Sequence, residues 1–194
     1  MRQLGITLLI SAFVLSGAGS STFLLSQPGS VPEDPKALLE KAQAGIEKNP
    51  KSAFWHNQAS VAYNALGHFD LAVKELELAA TLDPDDPGHE YSLFALYQRK
   101  GSPRQQRKAL LSALEIDGGN PLGHFELGVV LEKEGYLEES LKEYRDAKRL
   151  AADVKNREYT DRRGGVYEIE IVRKSADEYI ERVAKLIASK QHEK

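Results

Sequence analysis

Three histidines and one acidic linker are the residues whose types and placement could do chemistry in this chain. His56 and His124 stand 68 positions apart, and His89 falls one place short of their midpoint. A metal centre built from them would need ring nitrogens converging to about 2 Å from one ion. Packed helices stand about 8–10 Å apart, and His56 and His124 are separated by two structural units. Packing inside a helical hairpin, or exposure at its surface, is the expected role. Asp83-Pro84-Asp85-Asp86 gathers carboxylates without the spacing of a calcium loop, and reads as a linker. No G-x-S-x-G, phosphate-loop or H-E-x-x-H motif occurs. The absence of cysteine removes disulfides, thiolate metal sites, haem attachment and a lipidated N-terminal cysteine. The expectation is a non-enzymatic chain with no catalytic residue, no metal site and no cofactor.

The elements that must position everything else are set by a repeat. Gly67, Gly101 and Gly135 follow one another at 34 residues, as do Ala79, Ala113 and Ala147, and Leu82, Ile116 and Leu150. Asp34-Pro35, Asp86-Pro87, Ser102-Pro103 and Asn120-Pro121 each place a capping side chain before a proline at a first helical position. Ser102 and Gln105 have capping-box spacing. A single amphipathic helix is expected from Asp34 to Asn49, then hairpins over 53–86, 87–120 and 121–154. At 41% hydrophobic, 28% charged and a formal net charge of −3 with both signs interspersed, the chain suits a thin solenoid. It lacks the clustered basic face of a nucleic-acid binder.

A 34-residue period with small residues at turn and mid-helix positions resembles the tetratricopeptide repeat. The slots are filled by Tyr63, Ala72, Leu76, Ala79 and Pro84, then Leu93, Tyr97, Leu110 and Ala113, then Leu127-Gly128, Leu131, Tyr144 and Ala147. Departures are His56 where tryptophan is usual, Gln106 and Ser140 in alanine slots, and Gly118 for proline. The resemblance implies an all-α, right-handed solenoid of stacked hairpins, with residues 34–50 as an N-terminal half-repeat. It further implies that the first helix of each hairpin lines a concave face through repeat positions 2, 5, 9, 12 and 13. These are Phe54, Asn57, Val61, Asn64 and Ala65; Gly88, Tyr91, Ala95, Gln98 and Arg99; and Leu122, Phe125, Val129, Glu132 and Lys133. Phe54, Tyr91 and Phe125 would then line up as aromatic anchors ringed by polar groups, as at a peptide-binding surface. The alternative is that this lining packs against the chain's own C-terminal helix or N-terminal segment. Clamping of a C-terminal carboxylate is argued against, because the matching positions (Asn57, Val61, Ser92, Leu122 and Glu126) offer no cation.

The two ends differ from the repeats. Residues 156–165 contain a Gly-Gly turn, and a short extended or hairpin segment is expected around Tyr159 and Tyr167. Ile169, Val172, Ala176, Ile180, Val183 and Ile187 then form a helical stripe, a candidate capping helix from about Ile169 to Ser189, although Ser175-x-x-Glu178 would also suit a later start. At the N-terminus, Arg2 precedes an uncharged apolar stretch from Leu4 to Leu25, followed by a Pro/Gly/Ser linker. That order fits either a cleaved secretion signal or an uncleaved anchor, about 20 residues being enough to span a bilayer. Both place the body outside the cytoplasm. The expected function is an exported interaction scaffold, tethered to the membrane if the segment is uncleaved, holding a protein or peptide partner in its concave face. The competing expectation is a structural accessory subunit of an envelope complex whose groove is self-filled, with contacts made by the convex face or C-terminal segment.

Overall fold

The computed structural model describes residues 34–154, 158–160 and 166–192. The apolar stretch 4–25 and the Gly-Gly turn lie outside the described residues. Among the described residues eight helices follow in order: α1 Pro35–Lys48, α2 Ala53–Ala65, α3 Phe69–Leu82, α4 Pro87–Lys100, α5 Pro103–Ile116, α6 Pro121–Glu134, α7 Leu137–Asp153 and α8 Glu170–His192. Between α7 and α8, strands β1 Glu158–Thr160 and β2 Val166–Glu168 pair antiparallel, with Tyr159 opposite Tyr167. No strand falls between Ala53 and Val154.

The helix starts follow the side chains that cap them. Asp34 accepts from the amides of Lys36 and Ala37, Asp86 from Gly88, and Asn120 from Leu122 and Gly123. Ser102 differs from expectation, since its hydroxyl makes no capping bond. There Gln106, not Gln105, does the local work, its Nε2 donating to the Tyr97 carbonyl at 3.2 Å. Gly101 and Gly135 end α4 and α6 in the left-handed region at φ 67° and 87°, where a Cβ would be strained.

Packing explains the small residues and most of the departures. Ala79, Ala113 and Ala147 are completely buried, so the outer helices can approach their neighbours closely. Ser140, in an alanine slot, donates its hydroxyl to the Gly128 carbonyl at 2.9 Å, which satisfies it inside the core. Trp55 fills the space left by Gly45 of α1, and a side chain at Gly45 would collide with its indole. Gly128 gives the Tyr144 ring room in the same way; a Cβ there would lie 2.7 Å from it. Each hairpin therefore buries one face on its neighbour, as stacked repeats must. Helix α8 packs chiefly on α7 and also reaches α6. It buries Val172, Ala176 and Val183 and turns Lys174, Glu178, Glu181 and Lys185 to solvent, the character of a solenoid cap. Among the described residues no helix is long and apolar enough to cross a membrane.

Candidate interaction surfaces

Rows of residues three and four apart share one face of a helix, so α2, α4 and α6 each present the expected set on one side. The three aromatic rings do not share one environment. Phe54 is 41% exposed and meets Trp55 edge-on at 4.8 Å. Tyr91 is buried, its hydroxyl end packed against Gly123 of α6. Phe125 is completely buried, with ring centroids 5.4 Å from Tyr144 and 4.9 Å from Tyr179 of α8. The expectation of one open aromatic row is corrected accordingly: the row is exposed at Phe54 and covered by α8 at Phe125.

The polar members divide the same way. Asn64 accepts a 2.6 Å bond from Arg99, whose guanidinium also stands 4.7 Å from the Phe69 ring. Glu132 is taken by Arg182 of α8, which grips both carboxylate oxygens at 3.0 and 2.6 Å, while the Tyr144 hydroxyl donates to it at 2.8 Å. Burial and the Glu132 carboxylate hold the Tyr144 hydroxyl protonated, far above its ordinary range. Arg182 thus does for Glu132 what Arg99 does for Asn64. Sequence reasoning missed Tyr179 and Arg182, because Arg182 and Glu132 are 50 residues apart, outside the 34-residue phase.

Asn57 and Val61 are buried, and Oδ1 of Asn57 has no hydrogen-bond partner among the described residues. Ala65, Ala95, Gln98 and Val129 are half-buried, and Arg99 and Lys133 are exposed. Glu126 is buried, and desolvation pushes its carboxyl up to about 8 against the partial opposition of Lys133. In the face that α2 and α4 share, the hydrogen-bonding groups left over are amides and one guanidinium.

The histidines serve the hairpins. His56 places Nδ1 2.7 Å from Glu75 Oε2 and Nε2 3.0 Å from the Pro50 carbonyl. His124 repeats this with Glu143 at 2.7 Å and the Gly118 carbonyl at 3.2 Å. In each histidine both ring nitrogens face acceptors. Each pair ties the inner helix of a hairpin to its outer helix and to the preceding linker, so His56 and His124 are held in separate hairpins. Asp146 lies beside the second pair, and the donor atoms of His124, Glu143 and Asp146 fall within 4.8 Å of one another. Asp83 and Asp86 of the linker and His89 in the first turn of α4 make a similar group.

With this geometry in hand, comparison with known proteins places the fold. A family model described as tetratricopeptide repeat matches residues 53–86. The small glutamine-rich tetratricopeptide repeat-containing protein 2 of Saccharomyces cerevisiae is 29% identical over 89 residues, and the match spans 45% of this chain but only a quarter of that protein. Among solved structures, a MamA double mutant aligns with a TM-score of 0.56 at 18% identity, covering 81% of this chain and 88% of that one. The first repeat domain of Spaghetti (RPAP3), solved with the HSP90 peptide SRMEEVD, gives 0.53 at 14% identity, covering 71% and 94%. YrrB, described as having an unusual peptide-binding site, gives 0.53 at 19% identity, covering 60% of each chain. The matched repeat, its phase continued through α4 to α7 and the shared solenoid architecture agree: residues 53–86 match a tetratricopeptide repeat, and the chain has the fold of the tetratricopeptide-repeat solenoids.

Proposed function

We propose that the chain is a protein–protein interaction scaffold that holds a segment of a partner, extended or helical, against the inner helices α2 and α4. The observation that carries this reading is the contrast between the two ends of the concave lining: at repeat position 2, Phe54 is exposed where Leu122, 68 residues later, is buried. Phe125 is completely buried beneath Tyr179, whereas Phe54 remains 41% exposed. This exposed aromatic stands beside Trp55 and three residues before Asn57, whose Oδ1 has no partner among the described residues. Together with the exposed Arg99 of α4, it offers an apolar anchor with a hydrogen-bond acceptor and donors on the same lining. A guest's backbone N–H would satisfy Asn57, whose acceptor is otherwise costly to bury. Peptide recognition by Spaghetti and YrrB, as their descriptions state it, is consistent with this use of the fold.

The self-filled reading applies to the third repeat. Tyr179 and Arg182 of α8 occupy the ground that a guest would need at Phe125 and Glu132. The guest is therefore assigned to the first two repeats, and α8 marks where it stops. Export of the body, with residues 4–25 as secretion signal or anchor, belongs to the same proposal and rests on that stretch's composition.

The test is affinity isolation of the full-length chain with its partner from the native host, followed by titration of that partner with Phe54→Ala plus Asn57→Ala. Loss of about tenfold or more in affinity (about 1.4 kcal/mol) with an unchanged melting temperature is expected. Undiminished binding would refute the assignment to α2.

A further inference from the structure

The middle repeat lacks the histidine pair that its neighbours share. Thirty-four residues after His56 stands Glu90, and the same distance after Glu75 stands Ala109. The imidazole on the inner helix is exchanged for a carboxylate, and the carboxylate that should face it for a methyl group. A groove of about 510 Å³ lies there between α3 and α5, with Glu77, Thr81, Glu90, Tyr97, Gln105 and Lys108 among its walls. Glu90, Leu93 and Tyr97 recur at spacings of three and four, so they form its floor on one side of α4. That side is turned away from Tyr91, Ala95 and Gln98, which makes the groove separate from the concave face.

The chemistry of the lining is unbalanced. Glu77 accepts a 3.0 Å bond from the Tyr97 hydroxyl at the groove wall. Glu90 feels Lys108 across the groove without forming an ion pair with it, and Glu77 adds a second negative charge nearby. Desolvation is the largest influence on Glu90 and raises its carboxyl above the ordinary range, as expected of an acid short of counter-charge. Two carboxylates thus share one lysine in a recess of the size that small ligands and side chains occupy.

We infer that the groove between α3 and α5 is a second binding site, which takes a basic side chain of a partner. The guanidinium or ammonium head sits at Glu90 and Glu77, and the aliphatic stem lies along Leu93 and Ala109. The guest supplies to the middle repeat the hydrogen-bonding partner that His56 and His124 present to Glu75 and Glu143 in the others. This inference is independent of the concave-face reading, since it uses the opposite side of α4.

The experiment is an amide NMR titration of the full-length, 15N-labelled chain with N-acetyl-arginine amide, N-acetyl-lysine amide and N-acetyl-norleucine amide. Saturable shifts confined to α3, α4 and α5 are expected with at least one cation, with at least tenfold weaker binding of the norleucine compound. Preference for arginine assigns a guanidinium guest, preference for lysine an ammonium. Glu90→Gln should abolish the shifts. The double substitution Glu90→His with Ala109→Glu writes the neighbouring repeats' own pair into the site, so it should fold, raise the melting temperature and also abolish the shifts. Equal binding of the norleucine compound, no shifts with either cation, or undiminished binding to Glu90→Gln would each overturn the inference.

Discussion

Replacing Phe125 by alanine separates a groove residue from a core residue. The ring is completely buried, and it stands within 5.4 Å of Tyr144 and 4.9 Å of Tyr179, so no solvent reaches it to soften the loss. Truncation removes the transfer free energy of the ring and leaves a cavity that three packed helices can only partly close. The expected cost is about 3–5 kcal/mol. With a urea dependence of about 2 kcal/mol per molar, the unfolding midpoint should drop by roughly 2 M. Phe54→Ala at the other end of the concave lining should cost less than about 1 kcal/mol, because that ring is 41% exposed. Tyr179→Ala removes the covering partner, and its combination with Phe125→Ala should reveal a coupling of about 0.5–1.5 kcal/mol. Urea titration followed by far-ultraviolet circular dichroism gives all of these from one series. A Phe125→Ala midpoint within about 0.5 M of the parent, or a Phe54→Ala loss as large as that of Phe125→Ala, would refute the claim that α8 seals this end of the trough.

Three further substitutions probe the account. Gly128→Ala should destabilise by about 1–3 kcal/mol as its Cβ drives into the Tyr144 ring 2.7 Å away, measured as a lower melting temperature. Glu126 is raised to about 8 in the fold, so between its ordinary 4.5 and 8 the native state holds a proton that the unfolded chain has lost. Stability should therefore fall as pH rises through that window, and Glu126→Gln should flatten the fall and melt higher than the parent at pH 8. For His124, burial opposes protonation, yet the Glu143 and Gly118 hydrogen bonds and the charges of Glu143 and Asp146 outweigh it and raise the native value above 6.5. Its contribution is complete below pH 6.5 and lost as pH climbs through the raised value, so His124→Gln should weaken the protein at pH 6 and converge on the parent at alkaline pH in denaturant titrations.

The solenoid was legible because its cause is periodic. One spacing sets where glycine must turn the chain, where alanine must let helices close, and where proline can start a helix, and Ala79, Ala113 and Ala147 lie fully buried as that spacing requires. The departures were visible as residues but not as contacts. Gln106 and Ser140 sit in alanine slots because each finds a backbone carbonyl, and Gly118 replaces a proline where its own carbonyl receives His124. The partition of the concave face was not legible. Helix α8 follows a hairpin connection of its own length, so nothing in the 34-residue phase aligns Tyr179 with Phe125 or Arg182 with Glu132. The apolar stripe of α8 showed that it packs, and only its placement showed against what. The groove over α4 was hidden for the opposite reason: Glu90 and Ala109 hold the right phase and carry the wrong chemistry for a latch.

The most direct test is photo-cross-linking within the purified complex of the full-length chain and its partner. A benzophenone amino acid is placed in turn at Phe54, Gln98, Leu71 and Phe125, and adducts are mapped by mass spectrometry. The account predicts that positions 54 and 98 capture one continuous partner segment. The outward, 45% exposed position 71 should capture nothing of it, and position 125 should join only α8. Adducts to the partner from 71 alone, or from 125 as readily as from 54, would contradict it.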